Sequence, residues 1–240
     1  VTDPVEPWVE AVHKHLVSHG WASARVLDAG CGTGRHASAL ATKGHHVDLA
    51  DASAELLAQA ASRNPAGRAL HVDLCTFTTY TAYQAVMCRG VLNDMTTDAE
   101  RDAVLCALAN ALTDGGLLLL DVRESEGSRR RADGIPRHCV VNLGEQGTLQ
   151  FTNTATWREG RIHVLEVSEL QQPGSPPDRH VFDFTMRPWS VQELRDRLGK
   201  AGFSNIDIEP AVGRVTGDRL FVTAHLKRPT APAIKLQSDL

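Results

Sequence analysis

Between Glu6 and His19 the apolar residues Trp8, Val12 and Leu16 recur at every fourth position, which is one face of a helix. The apolar run at 25–29 reads as a strand and ends on a cluster of glycines. A helix to about Thr42 follows, with Gly44 as its stop. The alternation then repeats. Residues 46–50 read as a second strand, and "SAELLAQAASR" as a helix with Ser53 as N-cap. Residues 69–74 and 84–90 supply strands three and four. The stretch 98–112 is helical, with Val104, Leu108 and Leu112 on one face and Thr97 with Glu100 as a capping box. "TDGG" closes that helix, and 117–124 is strand five. Near-continuous apolar strands alternating with helices predict a parallel sheet covered on both faces.

The period changes from 3.6 to 2 after residue 124. In "TLQFTNTATW" Leu149, Phe151, Ala155 and Trp157 fall on one face and the threonines on the other. "REG" turns the chain into "RIHVLEVSEL", and "HVFDFTM" repeats the alternation with Phe182, Phe184 and Met186. Antiparallel strands joined by hairpins are expected, lying over one end of the parallel sheet. "SVQELRDRLGKAGF" restores the helical period, with Ser190 and Glu193 as a second capping box and Gly202 as the stop. "NIDIEP" and "RLFVTAHL" close the pattern as two strands. The chain therefore divides into a core, 1–124 and 186–227, an inserted antiparallel sheet, 125–185, and a patternless tail, 228–240, expected to be flexible.

Composition narrows the classes of partner. The 240 residues are 42% hydrophobic and 22% charged, enough for one large packed domain and too apolar for a disordered chain. The formal charge of −4 argues against a partner recognised mainly through phosphates, DNA included. Five cysteines, an odd number with no CxxC pair, suggest free thiols in a reducing compartment. The opening residues are acidic and polar, unlike a signal peptide, and no apolar run is long enough to span a bilayer. A cytoplasmic location with no membrane partner is the expectation.

The stretch "VLDAGCGTGRH" (26–36) concentrates the candidate chemistry. Glycines at a strand-to-helix turn let a ligand approach the backbone and the free N–H groups of the new helix. A dinucleotide fingerprint would place a small residue where Arg35 stands, so the pattern is Gly30, Gly32, Gly34 preceded by Asp28. Asp51 closes strand two, with Asp48 less well placed inside it, and Asp73 closes strand three. Strands one to three thus each deliver a carboxylate to the crevice where ligands of open α/β sheets lie. Helix capping is the simpler role open to each aspartate. No G-x-x-x-x-G-K-[ST] phosphate loop is present.

Taken together, "VLDAGCGTG", "VDLADAS", "HVDL" and "LTDGGLLLLDV" resemble the motifs of the class I S-adenosylmethionine-dependent methyltransferases, over roughly residues 20–124 and 186–226. The resemblance implies a Rossmann-like seven-stranded sheet, mostly parallel with its last strand antiparallel, and S-adenosylmethionine as cofactor. It implies that Asp28 orients the backbone or the methionine part and that Gly30, Gly32 and Gly34 let the cofactor pass. Asp51, beside Ala52, would bind the ribose hydroxyls, and Asp73 with Leu74 the adenine. Arg89, Gly90 and Val91 would border the sulfonium, with Cys31 flanking the pocket as a packing residue.

Methyl transfer requires alignment of acceptor, methyl and sulfur, and an O or ammonium acceptor also needs a base. Asp94 is the candidate base, Asn93 can orient an acceptor, and His36 lies in the first turn after the glycines. "NDM" is not the NPPY-type signature of nucleobase methylation. His163 and His180 lie on the inserted strands, mainly as surface residues, and "SRRRAD" reads as a charged loop. His15 and His19 have i, i+4 spacing but no accompanying acid set, so no metal is expected. Trp8, Phe151, Trp157 and Phe182 are the candidate substrate contacts, with ordinary core packing the alternative for each. The expected activity is methylation of a small organic acceptor at N, O or S, such as a secondary metabolite. A protein or RNA methyltransferase and a non-catalytic cofactor-binding module are the alternatives, and a homodimer is compatible with each.

Overall fold

The computed structural model describes residues 3–79 and 82–227. Helix α1 (Glu6–Ser18) precedes five βα-type strands: β1 (Arg25–Ala29), β2 (His46–Asp51), β3 (Ala69–His71), β4 (Tyr83–Arg89) and β5 (Leu112–Arg123). Between them run α2 (Arg35–Ala41), α3 (Ala54–Arg63) and α4 (Asp98–Ala111). After the insertion come α6 (Val191–Lys200), β10 (Phe203–Pro210) and β11 (Arg219–Leu226). The seven strands lie in the order β10-β11-β5-β4-β1-β2-β3, and β11 is antiparallel to both neighbours. Successive β5 residues point to opposite layers. Leu118 and Leu120 pack with Val104 and Leu108 of α4 and Leu194 of α6. Leu117 and Leu119 pack with Val12 of α1, Leu40 of α2 and Leu57 of α3. Two buried layers explain why these strands carry no polar face.

The insertion begins with α5 (Ser125–Arg131), where the sequence suggested a charged loop. Glu124 caps it by accepting from the Glu126 and Gly127 N–H groups, and Arg129, Arg130 and Arg131 complement the negative end of the helix. A four-stranded antiparallel sheet follows: β6 (Arg137–Asn142), β7 (Thr148–Arg158), β8 (Arg161–Gln171) and β9 (Asp178–Met186), hydrogen-bonded in that order. The β7–β8 hairpin turns on Glu159 and Gly160, both at positive φ, as a two-residue loop of this kind requires. Strand β6 escaped the sequence pattern because "RHCVVN" lacks regular alternation. Ile162, Val164 and Met186 form a small core with Ala132 beneath the sheet.

Three further boundaries differ from expectation. β3 ends at His71, so Asp73 sits in a turn beyond the strand, accepting from the Cys75 N–H at 2.8 Å. β5 starts at Leu112, which pairs with Tyr83 before an irregularity absorbs "TDGG". The second capping box is half formed: Ser190 accepts from the Glu193 N–H, but the Glu193 carboxylate turns to Arg101, Arg187 and Arg197. The capping box of α4, Thr97 with Glu100, is complete. The tail, 228–240, lies outside the described residues. Among the described residues no helix is long and apolar enough to cross a membrane.

Candidate active site

The loop after β1 is stitched to β2: the Gly30 and Cys31 N–H groups donate to the Ala50 carbonyl at 2.8 and 3.0 Å. Its three glycines all have positive φ, between 53° and 75°. They make room for different things. A Cβ on Gly30 would lie 2.2 Å from a Val91 methyl, and one on Gly34 would lie 2.7 Å from Ala60 of α3. A Cβ on Gly32 would meet nothing within 4 Å. Gly30 and Gly34 therefore also admit the protein's own residues, and Gly30 lines the crevice together with Gly32. Of the three, only the Cβ direction of Gly32 is open.

Asp51 bridges the two loops. It accepts from the Gly32 N–H at 2.7 Å on one oxygen and from the Ser53 N–H at 2.9 Å on the other. Each carboxylate oxygen still has a lone pair for a ligand hydroxyl. Asp28 is buried below the loop, and burial together with the Asp51 charge pushes its carboxyl up to about 7, against Arg89. Asp28, Gly32, Thr33, Arg35, His36 and Arg89 are among the residues enclosing a crevice of about 210 Å³. The His36 Nε2 is buried there without a partner, and burial plus the nearby guanidinium groups bring the ring down to about 4. His36 is thus neutral at physiological pH. Burial lifts the Cys31 thiol to about 12, which keeps it protonated and suits packing rather than nucleophilic chemistry.

The strand-four exit holds the second half of the site. Gly90, at φ 85°, donates to the Asp121 carbonyl, and Val91 fills the space left by Gly30. Arg89 sits 5.8 Å from the Trp8 ring centroid. Trp8 itself is fully buried, edge-on to Phe221 at 5.2 Å, and so cannot be a substrate contact. Asn93 is also fully buried. Its Oδ1 accepts from the Arg123 N–H at 2.7 Å and its Nδ2 donates to the Gly90 carbonyl at 2.9 Å. With both ends of the amide committed, Asn93 joins the ends of β4 and β5 and does not reach an acceptor. Asp94 is solvent-accessible, and Thr97, not Asp94, caps α4. Partial burial raises the Asp94 carboxyl above its ordinary value, with Arg219 and Arg123 pulling the other way.

Leu74 is buried in the core beneath α4, which corrects its assignment to an adenine face. Asp73 borders a separate groove with Arg68, His71 and Phe77. Ala52 is exposed, its carbonyl accepting from His71 Nε2 at 3.0 Å. The inserted sheet encloses a cavity of about 180 Å³ lined by Arg123, Asp218, Glu166, Ile162, Phe184 and others. Phe151 and Trp157 share a strand face with Ala155 of that lining, yet neither lines the cavity, and Trp157 packs on the small core instead. Phe182 lies farther out, 57% exposed. His163 meets Thr185, and His180 pairs with Asp178 at the surface. Among the described residues no group of three or more His, Cys, Asp or Glu could hold a metal.

Sequence reasoning missed a buried ionic cluster at the same end of the sheet. Asp121 is fully buried and accepts from Arg214 at 2.9 and 2.5 Å and from Arg219 at 3.0 Å. Arg214 also reaches Asp3 at 2.7 Å, tying the N-terminal segment over the site. The lone charge inside "LLLLDV" was the available signal.

A doubly wound sheet with Asp28 and Asp51 brought together at the carboxyl ends of its first two strands, Asp73 lying apart in its own groove, and no phosphate-binding lysine, fits an enzyme fold for a nucleoside cofactor. Comparison with known proteins sharpens that class. A family model described as a methyltransferase domain matches residues 26–116. A glycine/sarcosine N-methyltransferase of Aphanothece halophytica is 30% identical over 228 residues, covering 84% of this chain and 78% of the relative. A dTDP-3-amino-3,6-dideoxy-alpha-D-glucopyranose N,N-dimethyltransferase of Streptomyces fradiae is 32% identical over 166 residues, 68% of this chain and 62% of the relative. Among solved structures, an S-adenosylmethionine-bound amino pentose methyltransferase of Micromonospora echinaspora superposes with a TM-score of 0.76 at 26% identity, covering 90% of this chain and 89% of that one. The chain belongs to the S-adenosylmethionine-dependent methyltransferase family. The crevice fits such a cofactor: buried Asp28 and unpartnered His36 Nε2 suit an amino-acid end, and Asp51 suits a diol.

Proposed function

We propose that this methyltransferase acts on an amine nitrogen of a small organic molecule, an amino sugar or comparable natural-product amine, held beneath the inserted sheet. Two of the relatives are named for nitrogen methylation, one on glycine/sarcosine and one on a dTDP-linked amino sugar, and the Micromonospora structure is named as an amino pentose methyltransferase. When bound, the cofactor supplies a methyl group already activated on a positive sulfur. The residues of the chain do the rest. Asp28 and His36 hold its amino-acid end, and Asp51 holds the ribose. Neutral His36 adds no repulsion toward the sulfonium. Residues 125–185 serve as the acceptor cap. Five unpaired cysteines support a reducing, cytoplasmic setting.

One observation carries the catalytic assignment. Asp94 lies three residues past Val91, whose side chain packs against Gly30 of the crevice, and is within electrostatic reach of Arg123, which lines the cavity under the cap. Its raised pKa suits a carboxylate that accepts the proton of an ammonium acceptor, since a base works best near the operating pH. Alignment of the two reactants supplies the larger share, on the order of 7–11 kcal/mol. The test is Asp94→Asn with a panel of small amines. We expect kcat to fall about 10²–10⁴-fold, with S-adenosylhomocysteine affinity unchanged and the acid limb of the kcat–pH profile abolished. An unchanged kcat would remove Asp94 from catalysis. Methyl incorporation into hydroxyl but not amino analogues would refute the nitrogen reading.

A further inference from the structure

Asp94 stands on the loop between β4 and α4, residues 90–97, and the backbone of that loop is gripped from outside. The Leu92 carbonyl accepts from the Trp189 indole N–H at 3.2 Å, and the Asn93 carbonyl accepts from the Arg187 N–H at 2.8 Å. The Thr96 carbonyl accepts from Arg161, the first residue of β8, at 3.1 Å. Arg187 and Trp189 belong to the short link that leads from β9 back to α6. The loop is therefore bonded, on either side of Asp94, to the end of the inserted sheet where β8 begins and β9 finishes.

Arg101 is where these contacts meet. It lies in the first turn of α4 and is fully buried. Its Nε donates to the Met95 carbonyl at 3.0 Å, one residue past Asp94. Its Nη2 donates to the Arg187 and Pro188 carbonyls, and its Nη1 pairs with Glu193 of α6 at 2.8 Å. Its Cζ lies 3.7 Å from the centroid of the Trp189 ring. Burying a charge is costly unless its partners are well placed, and here every side of the guanidinium is matched. A planar fork can serve carbonyls on two sides, a carboxylate and a ring face at once, whereas a lysine ammonium has three donors and no plane. One side chain thus sets the spacing between the Asp94 loop and the segment 187–189.

We infer that Arg101 is a positioning residue for methyl transfer, a buried clamp that holds the Asp94 loop in a fixed place relative to the acceptor cap. This rests on the reading of Asp94 as the base. Arg101 itself lines neither the crevice nor the cavity under the cap. Loosening the clamp leaves both binding sites in place but misplaces the carboxylate, and a displacement of about 1 Å costs on the order of 10²-fold in rate. It also admits water around Asp94, whose carboxyl is raised by partial burial with Arg219 and Arg123 facing it.

The test is a double-mutant cycle of Arg101→Lys with Asp94→Asn, read by kcat and its pH profile on the panel of small amines. Arg101→Lys should lower kcat about tenfold to a hundredfold and leave S-adenosylhomocysteine affinity unchanged. The acid limb of its kcat–pH profile should move to lower pH, because a better hydrated Asp94 returns toward the ordinary carboxylate range. In the Asp94→Asn background the same substitution should change kcat by less than about twofold, as a residue acting through Asp94 must. Trp189→Phe keeps a ring beneath Arg101 and removes only the bond to the Leu92 carbonyl. It should show the same two changes more weakly, and it decides the matter if circular dichroism finds Arg101→Lys unfolded. A fall in kcat with the acid limb in place would make Arg101 merely structural and overturn the inference. So would equal effects of Arg101→Lys with and without Asp94, or wild-type kinetics in both Arg101→Lys and Trp189→Phe, and each of these leaves the base assignment standing. A kcat unchanged by Asp94→Asn overturns both.

Discussion

Gly30→Ala tests whether the first glycine of the loop serves the protein's own packing or the ligand. The new methyl would stand 2.2 Å from a Val91 methyl, far inside van der Waals contact. Two costs add. An L-residue in the left-handed region costs about 1–2 kcal/mol, and the overlap with Val91 adds about 1–3 kcal/mol by overpacking. Gly32→Ala shares the first cost only, because nothing lies within 4 Å of its Cβ position. The expected stability losses, read by urea unfolding without ligand, are therefore roughly 2–5 kcal/mol for Gly30→Ala and 1–2 kcal/mol for Gly32→Ala. The double-mutant cycle isolates the clash. Val91→Ala removes the offending methyls and leaves its Cβ 3.2 Å away, a gap that a small shift relieves. In that background Gly30→Ala should cost about 1–3 kcal/mol less than in the wild type. Titration with S-adenosylhomocysteine should show the reverse order, with Gly32→Ala the more damaging of the two to ligand affinity. A coupling energy below about 0.5 kcal/mol, or equal losses at Gly30 and Gly32, would refute this division of labour.

The remaining predictions concern buried polar groups. Asn93→Asp replaces the donor that faces the Gly90 carbonyl with a second acceptor, so it should destabilise by about 1–3 kcal/mol or more, read as a lower urea midpoint; an unchanged midpoint would refute its joining role. Asp28, pushed up to about 7 from 3.8, contributes stability that is fully present below pH 3.8 and lost as the pH rises through 7. His36, brought down to about 4 from 6.5, acts oppositely, its contribution being present above pH 6.5 and lost as the pH falls through 4. Asp28→Asn removes the first effect alone, so the variant should gain on the wild type from pH 4 to pH 8 in paired urea titrations. A constant difference across that range would contradict the burial of Asp28 as a titrating acid.

The βα rhythm of the core was legible because each of its strands and helices carries its own periodic signal. Leu117 to Leu120 of β5 are apolar without interruption because the structure buries both faces of that strand. The inserted sheet was legible in β7, β8 and β9 for the opposite reason. What periodicity could not tell was which half of an alternating face closes on the core and which half stays open. Trp157 and Phe182 follow the same period, yet one packs over Ala132 and the other stands 57% exposed. Trp157 is held over Ala132 at the end of α5, a helix anchored by Glu124 and by Asp218, 94 residues farther along the chain.

Asn93 and Asp94 show how residue chemistry could have resolved what position could not. Two chain ends meet behind the site, one presenting the Gly90 carbonyl and the other the Arg123 N–H. Only a group with a donor and an acceptor at fixed separation satisfies both, and a side-chain amide is such a group. A carboxylate has acceptors alone and would leave the carbonyl unpaired, whereas of these two side chains only the carboxylate can take up a proton, and it needs solvent to pass the proton on. The order Asn–Asp thus assigns burial to the first residue and leaves the second, which is exposed, available for the proposed proton transfer. Trp8 yields to the same kind of reasoning: at the first turn of α1, beneath a loop tied down by Asp3 and Arg214, its ring closes the apolar layer against Phe221 rather than opening toward a ligand.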